Sequence, residues 1–176
     1  MSFGDANVID GKFYVTAYNV NSGAKDWVSR VLIYSLPDLE LMDEIDIGEG
    51  IAESVTKSRG LFWVTYHDRM AVGVFNERFN LLRYEDLANL SAEYGGYQGA
   101  YWEGDRFFAQ THGPNELGLS PSKGMDEYRF DGERFRYVCT RAPMSYGAGQ
   151  GVAVYRGVVL QNDRPANEVL VGRWRE

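Results

Sequence analysis

The chain has 176 residues and a formal net charge of −7, with 44% hydrophobic and 14% aromatic residues. This length and apolar content exclude a disordered chain and allow one domain with a buried core. An acidic surface repels phosphates, and no apolar run reaches the ~20 residues of a membrane helix, so we expect no nucleic-acid partner and no membrane partner.

The N-terminus and the single cysteine bear on the cellular compartment. Residues 1–5 lack the basic and apolar regions of a signal peptide. Cys139 is the only cysteine and follows Tyr137 and Val138, which predicts a buried, inert thiol on a strand. We expect a soluble protein that is cytoplasmic or virion-associated, and the sequence leaves open whether a leader was removed.

The first two elements of a repeated unit are a short segment and a strand that follows a glycine. The segment is rich in small residues, which suits a crowded innermost strand, and occurs at residues 6–9, 52–56, 98–102 and 150–155. The strand is apolar, ends in polar residues and occupies residues 11–19, 60–68, 104–112 and 157–163. Its leading glycine supplies the positive φ of a tight turn and recurs every 44 to 53 residues, a spacing typical of propeller blades.

Two further strands complete the unit. The third strand finishes on an aromatic residue in all four copies, at Tyr34, Phe75, Phe130 and Trp174. A turn and an outer strand follow in the first three copies, with the outer strand at residues 39–45, 79–84 and 134–138. Alternation of polar and apolar residues in the first and third outer strands predicts one solvent-facing side.

The repeat resembles the pattern of β-propellers of the WD40-like and YncE-like kind over nearly the whole chain. No Trp-Asp dipeptide, Gly-His pair or recurrent double glycine marks a particular propeller family. The resemblance implies an all-β, β-propeller-like fold of about four antiparallel sheets, or blades, each in meander order. The blades are predicted at residues 1–48, 49–94, 95–144 and 145–176.

The fourth copy stops at residues 174–176 and lacks an outer strand. Either the last blade has three strands, or the chain is an open segment of a propeller that a partner completes. Its final predicted strand, residues 168–174, contains Val169, Leu170 and Val171, and an uncovered edge of this kind invites pairing. We therefore expect a protein partner or self-assembly through the C-terminal edge.

One segment between the second and third blades has a helical pattern. Leu87 and Leu90 stand three residues apart, acidic residues precede them, and Gly95-Gly96 follows. These signals predict a short helix or turn over residues 84–94.

Polar side chains end the strand behind each glycine. If the blades are equivalent, these ends converge on one rim of the molecule and form a ligand site. Trp102 joins the set because its place before Glu103-Gly104 predicts a partly exposed ring that can stack on a sugar. The candidate ligand-binding residues are Asn19, His67, Asp68, Trp102, His112 and Asp163. The alternative is that polar residues simply end strands and enter solvated loops.

The sequence predicts no catalytic residue, metal or cofactor. The nitrogen and oxygen atoms of His67, Asp68, His112 and Asp163 could in principle bind a metal. These residues come from different blades, however, and no HxH or HExxH spacing supports such a site. Trp63 lies between Phe62 and Val64 and is predicted to pack in the core.

The main functional hypothesis is a non-catalytic protein-interaction or structural module in a larger assembly, such as a virion or its tail. Repeated blades present a rigid surface with variable loops, which suits that role. The alternative is a glycan-binding or glycan-hydrolysing propeller with Asp68, Glu103 and Asp163 as candidate acids, which their clustering beneath an exposed Trp102 would favour.

The repeat predicts a far-ultraviolet circular dichroism spectrum dominated by β structure. We expect less than about 15% helix, well below the ordinary share in globular proteins. A helix-dominated spectrum would contradict the repeat.

Overall fold

The computed structural model describes residues 1–19, 27–87, 96–111, 124–142, 144, 148–155, 157–163 and 166–173. These residues form fifteen strands in four antiparallel sheets, arranged as the four blades of a propeller, and contain no helix. None of the described segments is therefore a helix long and apolar enough to cross a membrane. The predicted all-β propeller fold is confirmed.

Each blade is a meander whose strands lie in sequence order from the central axis outward. Blade 1 comprises β1 (Ser2–Ile9), β2 (Lys12–Tyr18), β3 (Val28–Tyr34) and β4 (Leu41–Glu49). Blade 2 comprises β5 (Ala52–Ser58), β6 (Leu61–Tyr66), β7 (Ala71–Phe75) and β8 (Leu81–Asp86). Blade 3 comprises β9 (Tyr97–Glu103), β10 (Arg106–Thr111), β11 (Met125–Phe130) and β12 (Phe135–Arg141). Blade 4 comprises β13 (Ala148–Tyr155), β14 (Val158–Asp163) and β15 (Glu168–Arg173).

Blade 4 has three strands among the described residues, as the sequence predicts. Its outermost strand, β15, occupies the position that the third strands β3, β7 and β11 hold in the complete blades. In those blades the third strand is covered by β4, β8 or β12.

Apolar clusters between neighbouring blades form the core. Blades 1 and 2 share a cluster that includes Ile33 and Val64, and blades 2 and 3 share one centred on Trp63, whose predicted core position is confirmed by an exposed fraction of 1%. Phe108 and Val159 belong to the cluster between blades 3 and 4. The fourth cluster contains only residues of blade 1, so the junction of blades 4 and 1 has no shared cluster among the described residues.

The predicted helix over residues 84–94 is wrong at its start. Tyr84 pairs with Gly73 and Asp86 with Ala71, so these residues belong to β8. Backbone pairing with β7 completes blade 2 there, and the buried Leu87 packs in the cluster between blades 2 and 3. Residues 88–94 lie outside the described part of the chain.

Cys139 lies on β12, as predicted, but is only half-buried. An outer strand has one face turned to solvent, which leaves part of the residue exposed. Burial and the neighbouring Glu127 carboxylate both raise the pKa of the Cys139 thiol, which accords with the predicted low reactivity.

The β5–β6 hairpin depends on the backbone conformation of Gly60. Its φ is 73°, and that of the preceding Arg59 is 54°, as a two-residue turn between Ser58 and Leu61 requires. A Cβ atom at Gly60 would meet no other atom within 4 Å, so a substitution there acts through backbone strain alone.

We expect Gly60→Val to lower the free energy of unfolding by roughly 1–3 kcal/mol, because a β-branched residue disfavours positive φ. Gly60→Asn is the matched control and should cost less, since asparagine tolerates this conformation. Urea denaturation of the two variants measures the difference, and equal stabilities would contradict the structural role of this glycine.

Candidate functional site at the central axis

All four inner strands carry a β-bulge or a related irregularity of register at the same end. We call that end of the propeller the upper face; the inner strands begin there at Ser2, Ala52, Tyr97 and Ala148. The register shifts lie after Phe3 in β1, after Ala52 in β5, between Tyr97 and Ala100 in β9, and after Ala148 in β13. Bulges redirect side chains, and these four do so close to the axis of the molecule.

Asp5 lies in the bulge of β1 and reaches across to blades 3 and 4. The Val152 N–H donates a hydrogen bond to its Oδ2 atom at 3.4 Å. A Cβ atom at Gly99 would lie 2.8 Å from Oδ2, and one at Gly151 would lie 2.9 Å from Oδ1. These two glycines therefore leave the space that the carboxyl group occupies. Enclosure by the inner strands raises the pKa of Asp5 to about 7, against the opposing effect of two backbone hydrogen bonds.

Glu53 is the bulge residue of β5 and is 6% exposed. Burial is the main cause that raises its pKa to about 8, and the negative charges of Asp5 and Asp68 act in the same direction. The Tyr18 hydroxyl donates a hydrogen bond to the carboxylate and opposes the rise. The Nδ1 atom of His67 lies 4.0 Å from Glu53 Oε1.

Asp68 follows β6 at the upper face, and its pKa is shifted in the opposite direction to those of Asp5 and Glu53. Partial burial raises its pKa, but this effect is outweighed by the Ile51 N–H, which donates to Oδ1 at 3.0 Å, and by the Arg69 guanidinium, 3.1 Å from Oδ2. The net pKa of Asp68 therefore lies below its ordinary value. Arg69 is also stacked on the Tyr66 and Tyr84 rings, which fixes the cation beside the carboxylate.

Three carboxyl groups near the upper end of blades 1 and 2 therefore differ in protonation at neutral pH. Glu53 holds its proton, Asp5 titrates near pH 7, and Asp68 is ionised. Neighbouring carboxyl groups whose pKa values are pushed apart are the arrangement that acid–base catalysis requires. The site can donate a proton from one carboxyl group and present a negative charge from another.

A cavity of about 370 Å³ opens beside Asp5. It lies between blades 1 and 4, where the two blades share no apolar cluster, and Gly151, Gln161 and Asn162 contribute to its wall. Its volume falls in the range of small-molecule sites. A second cavity of about 290 Å³ lies next to Tyr18 and Asn19.

The structure brings some of the sequence-predicted site residues together and separates others. His67 and Asp68 lie beside Glu53. Asn19 and Asp163 also lie at the upper ends of their strands, but they accept hydrogen bonds from the nearby backbone N–H groups of Val28 and Ala166. His112 lies outside the described residues.

Trp102 does not join this group. It lies near the lower end of β9, where it pairs with Phe107, and its half-buried ring packs 5.0 Å from that of Trp63. Glu103 is at the same lower end and forms an ion pair with Arg106. The cluster of Asp68, Glu103 and Asp163 beneath Trp102, which would have favoured the glycan-hydrolysing alternative, is therefore not formed, because β9 runs from the upper face to the lower one.

Asp5 and Glu53 were not among the sequence-predicted site residues. A signal exists: each is an acidic residue close behind the start of an inner strand whose neighbours are small, and Gln98 holds the corresponding place in β9. In the described part of the chain, no group of three histidine, cysteine or acidic residues is arranged to hold a metal ion.

No protein-family model matches this sequence, and no curated protein sequence matches it. Among solved structures, the chain is similar to the glutaminyl cyclase of Myxococcus xanthus, with a TM-score of 0.63 and 10% identity over 96% of this chain and 64% of that one. It is also similar to the α-L-arabinanase of Cellvibrio cellulosa complexed with arabinohexaose, with a TM-score of 0.62 and 13% identity over 95% and 71%.

A chain of the nidogen/laminin complex gives a TM-score of 0.53 and 11% identity, over 97% of this chain and 88% of that one. Enzymes and an interaction complex therefore occur together among these structures. At such identities the likeness establishes the fold alone.

The raised pKa of Glu53 predicts a pH-dependent stability. The unfolded chain ionises this residue near its ordinary pKa of 4.5, whereas the folded protein keeps the proton up to about pH 8. The unfolded state therefore binds fewer protons in this window, and the free energy of unfolding falls as pH rises through it. The raised pKa of Asp5 also lowers the free energy of unfolding as pH rises. The lowered pKa of Asp68 stabilises the folded protein at neutral pH, and this stabilisation is lost only at acidic pH.

We expect Glu53→Gln to flatten the dependence between about pH 5 and 8 by on the order of 1 kcal/mol per pH unit. Urea denaturation at several pH values measures the slope. Glu49→Gln, at an exposed position of β4, is the control and should leave the slope unchanged. Parallel curves for wild type and Glu53→Gln would contradict a raised pKa of Glu53.

Proposed function

We propose that the protein binds a glycan at its upper face and hydrolyses a glycosidic bond there. Glu53 acts as the general acid, and Asp68 is the ionised carboxylate that assists attack. The observation that carries this proposal is the split protonation of neighbouring carboxyl groups at one end of the central axis.

The chemistry of the reaction explains why such a split matters. A glycosidic oxygen needs a proton as its bond breaks, so the acid must still be protonated at neutral pH. Glu53 meets this requirement, with a pKa of about 8. The second carboxyl group must be ionised, either to attack the sugar or to activate water, and Arg69 favours that state in Asp68.

The surroundings of the acids support a polar substrate. Tyr18 donates a hydrogen bond to the Glu53 carboxylate, and His67 lies 4.0 Å from it. The cavity beside Asp5 adds the amide group of Asn162, which can donate to and accept from sugar hydroxyl groups. The chain is similar in fold to an α-L-arabinanase whose structure was solved with arabinohexaose. Arabino-oligosaccharides are therefore the first substrates to test.

The test is incubation of the protein with oligosaccharides of several linkages, including α-L-arabino-oligosaccharides, with detection of new reducing ends. We expect Glu53→Gln to lower kcat roughly 10²–10⁴-fold, the usual contribution of general acid catalysis. Binding measured by calorimetry should change much less, because glutamine keeps the shape and hydrogen-bonding atoms of the side chain.

Glu103→Gln is the matched control. It removes a carboxyl group at the lower end of β9, so turnover should stay at the wild-type level. Equal loss in both variants, or no cleavage and no binding of any oligosaccharide, would contradict the proposal.

The second candidate function is the non-catalytic role in a larger assembly, such as a virion or its tail. The edge of blade 4 favours it, since among the described residues β15 has no covering strand like those of the other blades. An uncovered edge is a site for a strand from another chain.

A further inference from the structure

A further cavity lies at the lower end of the central axis, opposite the carboxyl groups of the upper face. This lower cavity has a volume of about 430 Å³ and is lined by the lower ends of β1, β5 and β9 and by the turn after β5. The half-buried Trp102, whose ring is expected to stack on a sugar, forms part of its wall. The volume falls in the range of small-molecule sites.

Arg59 places a fixed cation in the wall of the lower cavity. Its Cζ atom lies 5.0 Å from the centroid of the Phe130 ring, and its Nη2 atom donates to the Phe130 carbonyl oxygen at 3.2 Å. Arg59 forms no ion pair and no other hydrogen bond with the described residues. Most of its N–H donors therefore remain for a ligand, and a side chain that is already ordered loses less entropy on binding.

Lys57 is the other cation in this wall, and carboxylates already neutralise it. Its Nζ atom lies 2.6 Å from Asp10 Oδ2 and 3.8 Å from Glu77 Oε1. With these two acids nearby and a net charge of −7 on the chain, a ligand with one negative charge is favoured over one with two. A carboxylate carries one charge and fits the planar guanidinium of Arg59, whereas a phosphate monoester carries nearly two.

Uncharged polar atoms in the same wall suit the hydroxyl groups of a ligand. Asn7 Nδ2 donates to the Val55 carbonyl oxygen at 3.0 Å and to Ser54 Oγ at 3.4 Å, and these bonds orient the amide. Neither Asn7 Oδ1 nor the Ser58 hydroxyl has a hydrogen-bond partner among the described residues. Both can therefore bind a ligand hydroxyl group, and the Trp102 ring adds an apolar surface to the cavity.

We propose that the lower cavity binds a sugar acid, with its carboxylate on Arg59 and its hydroxyl groups on Asn7 and Ser58. Glu53 lies near the upper end of β5 and Ser58 at its lower end, so at about 3.3 Å per residue the two sites are roughly 15 Å apart. Binding in the lower cavity requires no cleavage, and the inference is therefore independent of glycan hydrolysis.

The first test compares D-glucuronate with D-glucose, which carries a hydroxymethyl group in place of the carboxylate. NMR titration of the isotope-labelled protein should give a Kd of about 1 mM for glucuronate and a value at least about tenfold higher for glucose. Equal affinities, or no binding of glucuronate up to about 50 mM, would overturn the proposal. Tighter binding of inorganic phosphate than of glucuronate would overturn the choice of a sugar acid.

The second test changes the charge of the wall and leaves Arg59 and its contacts with Phe130 in place. Ser58→Asp adds a carboxylate to the cavity, and Ser58→Asn is the matched control because asparagine has the same shape without the charge. We expect the Kd for glucuronate to be at least about tenfold higher in Ser58→Asp than in Ser58→Asn, since the new carboxylate repels the ligand and neutralises Arg59. Equal values in the two variants would contradict an anion in this cavity.

The third test removes the cation itself. In Arg59→Gln we expect the preference for glucuronate over glucose to fall to about one, because the carboxylate loses its charged partner. Comparing two ligands in one variant separates this effect from a change in stability. Arg78→Gln is the control, since it removes a positive charge from the exposed turn between β7 and β8 at the same end of blade 2. A preference that persists in Arg59→Gln, or is lost equally in Arg78→Gln, would overturn the role of Arg59.

Discussion

Each blade of this propeller has two largely apolar faces, and a face can be buried only against a neighbouring blade. Three junctions meet this requirement with clusters shared between adjacent sheets. These clusters contain most of the large buried side chains, including Trp63, Phe107 and Phe108. Hydrophobic burial at the junctions, rather than hydrogen bonds within any one sheet, therefore holds the blades in a ring.

The junction of blades 4 and 1 departs from this arrangement, and two features of the molecule follow. The cavity beside Asp5 opens there, because the facing surfaces share no cluster among the described residues. Val169 and Val171 stay exposed on blade 4 for the same reason. The place where packing is weakest is thus where the proposed ligand cavity opens.

Packing around the axis also explains the unusual state of the carboxyl groups. Inner strands crowd together, so a side chain directed inward by a bulge loses its water. Asp5 and Glu53 are placed in this way, and burial raises their pKa values. Asp68 lies farther out beside Arg69 and keeps its charge. The desolvation of Asp5 and Glu53 costs stability at neutral pH, and hydrophobic burial at the junctions between blades offsets this cost.

The sequence by itself determined the repeat, the strand order and the three strands described in the last blade, because glycine turns and alternating side chains are local signals. It also placed His67 and Asp68 at the end of a strand. Only the tertiary structure decided that Glu53 and Asp5 join them, since bulges arise from strand pairing and burial depends on residues distant in the chain. For the same reason Trp102 and Glu103, close to Gln98 in sequence, lie at the opposite end of the propeller.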